Sequence, residues 1–126
     1  MAKILIVDDD IAIRRAVREL LREVGHEVVE AADGTEALPL LETTAFALVI
    51  TDVYMAEMDG MELFRRIRLK DIRVPVVVIS GGGHARPERV LQVAAACGAV
   101  ATLTKPFTPQ QLLEAVEPLL SRSEPP

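Results

Sequence analysis

Short apolar runs alternate with segments of helical periodicity five times along the chain. Lys3 to Val7 is a continuous apolar run after one lysine, as expected of a strand covered on both faces. Glu27 to Ala31, Ala47 to Thr51, Pro75 to Ile79 and Ala99 to Leu103 read as the second to fifth strands. After the first strand, Ile13, Ala16, Val17, Leu20, Leu21 and Val24 form a helical stripe. Its opposite face carries Arg14, Arg15, Arg18, Glu19, Arg22 and Glu23, and Gly25 stops it. Asp33-Gly-Thr-Glu36 has capping-box spacing and opens a second helix reaching about Glu42. Pro39 deletes a backbone donor there, so it is expected within the first turn or so. Asp59-Gly-Met-Glu62 repeats the capping spacing before Leu63, Phe64 and Ile67. Pro87 suits the first turn of a fourth helix running to Cys97, which Gly98 ends. Thr108-Pro-Gln-Gln111 caps a last helix with Leu112, Leu113, Val116, Leu119 and Leu120 inward, and Pro118 is expected to bend or fray its end. Five βα units with short connections imply one parallel sheet with helices on both faces. A single domain over residues 1–120 is expected, with 121–126 as a frayed tail.

Composition narrows the class. At 126 residues the chain can bury a proper core, and with half its residues hydrophobic but only 3% aromatic that core must be aliphatic. The single Cys97 cannot form an internal disulfide, which suits a reducing compartment. It reads as a small apolar residue on a helix face. No apolar run approaches the roughly 18 residues of a membrane span, and the start lacks a signal peptide's cleavage pattern, so a cytoplasmic protein is expected. Fourteen basic residues against 19 acidic give a net charge of −5. Arg65, Arg66 and Arg68 lie on the polar side of an amphipathic helix without interleaved aromatics, a solvated face rather than a nucleic-acid patch.

The polar residues that interrupt the apolar pattern fall where a doubly wound sheet binds ligands, beyond the carboxyl ends of its strands. Asp8, Asp9 and Asp10 follow the first strand, Asp52 follows the third, Ser80 ends the fourth and Lys105 lies just past the fifth. Alone, a strand-end Asp is usually a helix cap, a Ser a turn residue and a Lys a solvated cation. Four such positions at one sheet edge point to a shared site. Crowded carboxylates either raise one pKa or recruit a cation, and a hard divalent ion such as Mg²⁺ takes oxygen ligands. A carboxylate can also act as a nucleophile and form an aspartyl-phosphate, a transfer that needs mainly placement and charge neutralisation.

Ile4-Leu-Ile-Val-Asp-Asp-Asp10, Thr51-Asp-Val-Tyr-Met55 leading into Met58-Asp-Gly60, Val76-Val-Val-Ile-Ser80 and Leu103-Thr-Lys-Pro-Phe107 together resemble the receiver domain of bacterial two-component response regulators, over nearly the whole chain. The resemblance implies a flavodoxin-like five-stranded sheet of order 2-1-3-4-5. It implies that Asp52 is phosphorylated, that Asp9 binds Mg²⁺ directly and that Asp8 holds a metal-bound water. Tyr54 would lend its backbone carbonyl to the metal, Ser80 its hydroxyl to the phosphoryl group and Lys105 an ion pair, after a cis Lys105-Pro106 peptide. The implied donor is a phosphohistidine on a sensor histidine kinase or phosphotransfer protein, small acyl phosphates also serve, and the output is a downstream protein target. Such a domain catalyses only its own phosphorylation and dephosphorylation.

Three positions depart from the family pattern. Thr102 stands where an aromatic usually changes rotamer, Ala56 stands where proline is common, and Gly81 opens the triplet Gly81-Gly82-Gly83, expected to be a mobile loop. The helix over 87–97 is apolar almost all round, so a hydrophobic partner or homodimer surface is expected over this fourth helix and the fifth strand. A haloacid-dehalogenase phosphatase would need a Thr or Val two residues after Asp10, where Ala12 stands, and a cap that 126 residues cannot hold. A flavodoxin-like cofactor binder would need hydroxyl and glycine residues in the acidic first loop, and no Gly-Lys-Ser/Thr follows the glycine triplet. The remaining alternative is a receiver-fold interaction module that works without phosphorylation.

Overall fold

The computed structural model describes residues 2–53, 58, 60–80 and 101–123. The chain runs through β1 (Lys3–Val7), α1 (Ile11–Glu23), β2 (Glu27–Ala31), α2 (Gly34–Thr43), β3 (Leu48–Asp52), α3 (Gly60–Leu69), β4 (Val76–Ser80), β5 (Ala101–Thr104) and α4 (Pro109–Ser123). The strands pair in the order β2-β1-β3-β4-β5, and every pairing is parallel. The fold class and strand order match the sequence expectation.

The unbroken apolar strands are explained by burial on both faces. Leu5, Val7, Val49, Val76 and Val78 point to one side, against Ala37, Leu38 and Leu41 of α2 and Leu63, Phe64 and Ile67 of α3. Ile4, Ile6, Leu48, Ile50, Val77 and Ile79 point to the other, against Val17 and Leu21 of α1 and Leu112, Val116 and Leu120 of α4. Successive strand residues alternate faces, so a strand between two helical layers must be apolar at every position.

The capping reading holds where it can be inspected. Asp10 accepts from the Ala12 and Ile13 amides at the start of α1. Asp33 accepts from the Glu36 amide, and Glu36 reaches back to the Ala32 amide. Thr108 and Gln111 bond each other's amides reciprocally before α4. Gly25, at φ 97°, takes the left-handed conformation just past α1.

Several boundaries differ from the pattern-based ones. β3 and β4 each lie one residue later than read, because pairing continues through Asp52↔Ile79 and Ser80↔Thr104. Asp52 is therefore the last residue of its strand rather than the first after it. Pro39 is the sixth residue of α2, deeper than expected, and the helix survives it because Ala37, Leu38 and Leu41 are buried against the sheet. Pro118 lies inside α4, and helical backbone continues to Ser123, into the segment expected as a tail. The expected helix over 87–97, the glycine triplet and the Asp59 cap lie outside the described residues. Among the described residues, no helix is long and apolar enough to cross a membrane.

Candidate functional site

The parallel register brings the ends of β1, β3, β4 and β5 to one edge of the sheet. Asp8 leaves β1 with its amide still bonded to the Ala31 carbonyl at 3.1 Å. Its carboxylate is fully buried, and one oxygen, Oδ1, accepts the Asp10 amide at 2.9 Å. Asp52, 7% exposed, is oriented by the Val53 amide, which donates to Oδ1 at 2.8 Å. Asp9 is exposed, and its carboxylate lies with those of Asp8 and Asp52, all three offering oxygens within 4.8 Å of one another.

Lys105 arrives from just past β5. Its amide donates to the Ser80 carbonyl at 2.7 Å, and its peptide bond to Pro106 is cis. The ammonium sits 3.0 Å from Asp52 Oδ2 and 3.4 Å from Asp8 Oδ2. Burial works against its charge, but the hydrogen bond to Asp52 and the Asp8 and Asp52 charges outweigh that and hold its pKa above the ordinary lysine value. Ser80 ends β4 with a buried hydroxyl that has no hydrogen-bond partner among the described residues. A buried hydroxyl left unpaired is costly, which marks Oγ as a group waiting for an acceptor.

Two backbone hydrogen bonds fix the connection that follows Asp52. The Gly60 amide bonds the Val53 carbonyl at 2.9 Å, pulling the start of α3 onto the end of β3. The Gly34 amide bonds the Met58 carbonyl at 2.9 Å, tying α2 to the same connection. Both glycines stand where an added Cβ would collide with backbone.

Of the residues singled out from sequence, Asp8, Asp9, Asp52, Ser80 and Lys105 come together at this edge. Tyr54 lies outside the described residues. Asp10 is the cap of α1. Thr102 sits in β5, exposed and paired with Val78. One residue that the sequence pattern does not single out touches the site: Arg14, on the polar face of α1, which is held in turn by Glu30 of β2. Arg14 Nη1 donates to the Asp8 carbonyl at 2.8 Å, and its Nε donates to Glu30 at 2.8 Å. Periodicity could assign their faces but not that they meet.

Three carboxylates face one ammonium, which leaves an excess of negative charge on hard oxygen donors. This donor set fits a divalent cation of the Mg²⁺ type. Burial raises the Asp8 pKa, assisted by the Asp52 charge, while the Asp10 amide and Lys105 oppose the rise. A carboxyl with a raised folded-state pKa favours folding fully only below its unfolded value, and that contribution is lost as pH rises through the folded value. Asp8→Asn is therefore expected to stabilise the metal-free protein at neutral pH. The gain should vanish near pH 3, where the wild-type carboxyl is protonated in both states. Urea denaturation at the two pH values checks it, and an unchanged or reduced stability at neutral pH would refute it.

Comparison with known proteins gives the chain a family. The response regulator receiver domain family matches residues 4–117. The chemotaxis protein CheY of Pseudomonas aeruginosa is 37% identical over 121 residues, covering 95% of this chain and 97% of that one. The probable transcriptional regulator ycf27 of Cyanophora paradoxa is 37% identical over 124 residues, and the chain spans 50% of its length. Among solved structures, the receiver domain of Francisella response regulator 1452 has a TM-score of 0.88 at 30% identity, covering 98% of this chain and 100% of that one. The chemotaxis response regulator CheY4 of Vibrio cholerae has a TM-score of 0.84 at 37% identity, covering 94% and 98%. The architecture is thus that of the CheY-like signalling fold. The chain belongs to the response regulator receiver domain family, the signalling module of two-component systems.

Proposed function

We propose that Asp52 accepts a phosphoryl group from a phosphohistidine of a sensor kinase or phosphotransfer protein, and that the phosphorylated domain signals to a protein target. The observation that carries this reading is the convergence of Asp8, Asp9 and Asp52 with the Lys105 ammonium beside a buried Ser80 hydroxyl that has no partner among the described residues. Asp8 and Asp9, with Asp52, would hold Mg²⁺, the carbonyl of Tyr54 being a further ligand that the family resemblance suggests. Bound there, Mg²⁺ supplies positive charge to the phosphoryl oxygens.

The protein's own groups do the rest. The Val53 amide holds the Asp52 carboxylate in one orientation, so an oxygen is presented rather than free to rotate. That oxygen forms the new bond to phosphorus while the phosphorus–nitrogen bond of the donor breaks, and the donor nitrogen keeps the electron pair. Lys105 neutralises charge on the acyl phosphate, and the Ser80 hydroxyl donates to a phosphoryl oxygen. The same chemistry serves a small acyl phosphate, with an oxygen as leaving group. The domain then acts on itself only, as acceptor and as catalyst of its own dephosphorylation.

The test is intact mass after incubation with acetyl phosphate, with Mg²⁺ or with a chelator. One phosphoryl adduct, present only with Mg²⁺ and released by hydroxylamine as an acyl phosphate should be, is the expected result. No adduct in a protein shown separately to bind Mg²⁺ would replace this reading with the phosphate-independent interaction module. The partner or homodimer surface expected over the fourth helix and β5 belongs to the same proposal, its helix lying outside the described residues.

Lys105 touches both carboxylates, so it competes with a bound cation for the same charge. Lys105→Met is expected to bind Mg²⁺ roughly five-fold more tightly, because a unit charge a few ångströms away is worth on the order of 1 kcal/mol after screening. It should nonetheless be phosphorylated more slowly. Isothermal titration calorimetry on the unphosphorylated protein reads the first effect, and weaker binding would contradict it.

A further inference from the structure

We propose that Arg14 is a positioning residue for the cation site, its guanidinium clasped by Glu30 so that it fixes the Asp8 carbonyl and thereby the stance of the Asp8 carboxylate. The inference rests on the reading of Asp8, Asp9 and Asp52 as the cation site.

Asp8 is the residue at which the chain leaves the sheet. The β1–β2 register ends at Val7↔Ala31 and the β1–β3 register at Val7↔Thr51. The Asp8 amide still finds the Ala31 carbonyl, but its own carbonyl is beyond both ladders. A backbone carbonyl at so buried a residue needs a donor. Arg14, one turn into α1, supplies it through Nη1 at 2.8 Å. With the amide tied to β2, the carbonyl tied to α1 and Oδ1 tied to the Asp10 amide, the Asp8 carboxylate has little freedom left.

The clasp behind Arg14 has the form of a built support. Glu30 Oε1 accepts Arg14 Nε at 2.8 Å, and Oε2 accepts Arg18 Nη1 at 2.6 Å. The Arg14 and Glu30 side chains are 14% and 21% exposed, drier than an ordinary surface pair. Burial alone would raise the Glu30 pKa, but the two guanidinium hydrogen bonds more than offset it and the pKa is lowered. Arg18 also binds Glu19. Two guanidinium groups and two carboxylates cancel, so the group sits beside an acidic pocket without adding net charge to it. A lone cation here would repel a divalent ion; a neutralised fork supplies geometry instead. Only a guanidinium can span the Glu30 carboxylate and the Asp8 carbonyl with separate nitrogens of one plane.

Groups that orient ligands from behind typically change metal affinity about 10–100-fold when removed, and this one acts through the backbone of a single carboxylate, so about tenfold is expected. The experiment is calorimetric titration of the unphosphorylated protein with Mg²⁺ alone, for wild type, Arg14→Lys, Arg14→Met and Glu30→Gln. Positioning predicts weaker binding in all three, together with faster solvent exchange of the Asp10 amide, at unchanged folded fraction. A role through charge predicts wild-type affinity for Arg14→Lys and tighter binding for Arg14→Met. Either of those results would overturn the proposal. Should the Arg14 variants fail to fold, solvent exchange of the Asp10 amide in Glu30→Gln decides it, because the lost carboxylate charge weakens Mg²⁺ binding on either reading; wild-type exchange counts against positioning. A wild type that binds no Mg²⁺ would instead remove the cation-site reading itself, and the inference with it.

Discussion

Asp52→Asn is expected to abolish the Mg²⁺-dependent phosphoryl adduct while leaving the fold intact. Asparagine matches aspartate in volume, and its carbonyl oxygen can still accept the Val53 amide that orients the native carboxylate. What it loses is the nucleophile, since an amide oxygen does not form a stable bond to phosphorus, and a negative charge that Lys105 now pairs. Removing one of several crowded carboxylates also relieves repulsion, so the melting temperature should hold or rise slightly. Intact mass after acetyl phosphate treatment reads the chemistry, with at least a hundredfold loss expected for removal of a covalent nucleophile. An adduct of undiminished yield in the variant would place the acceptor elsewhere. The same protein should keep the Asp8 to Lys105 contact, so Mg²⁺ binding weakens without the site collapsing.

Gly60→Ala is expected to cost both stability and phosphorylation. The first residue of α3 approaches so closely that an added Cβ would collide with the Asp52 carbonyl and stand 3.1 Å from Val53 Cα. These are backbone atoms of a buried strand, with no flexible side chain to give way. Alanine is the better helix former by about 1 kcal/mol, so a position governed by propensity would be stabilised. Here the clash is expected to win, destabilising by about 2–3 kcal/mol as overpacking does. That corresponds to a melting temperature lower by about 6–12 °C. Relief requires α3 to retreat from β3, breaking the Gly60 to Val53 bond and shifting Asp52 away from Lys105. Phosphorylation should therefore slow even at temperatures where the variant is fully folded. A variant as stable as wild type, by thermal denaturation, would show that the contact relaxes freely.

The two predictions divide along what can be read from sequence. Asp52 stood out because a polar residue at the end of an apolar run breaks a pattern with a strict physical cause, burial on both faces of the sheet. Asp8, Ser80 and Lys105 stood out for the same reason, and the helix starts at Asp33 and Thr108 were legible because capping is settled within four residues. Local chemistry and local periodicity thus determined the described elements, the fold class and the polar residues that meet at the sheet edge. The strand order came from family likeness rather than from the pattern. The strand ends slipped by one residue because pairing, not hydropathy, terminates β3 and β4.

What only the tertiary structure decided are the contacts between residues far apart in the chain. Gly60 reads as one more helix-start glycine until α3 is laid against Asp52. Lys105 reaches Asp8 across 97 positions because β1, β3, β4 and β5 end at one edge. Arg14 is one charge on the polar face of a helix and Glu30 one position in a strand, since periodicity reports which side of an element a residue occupies and nothing of what faces it. Their meeting over the Asp8 carbonyl depends on how α1 crosses β1 and β2, a packing geometry spread over the whole helical layer.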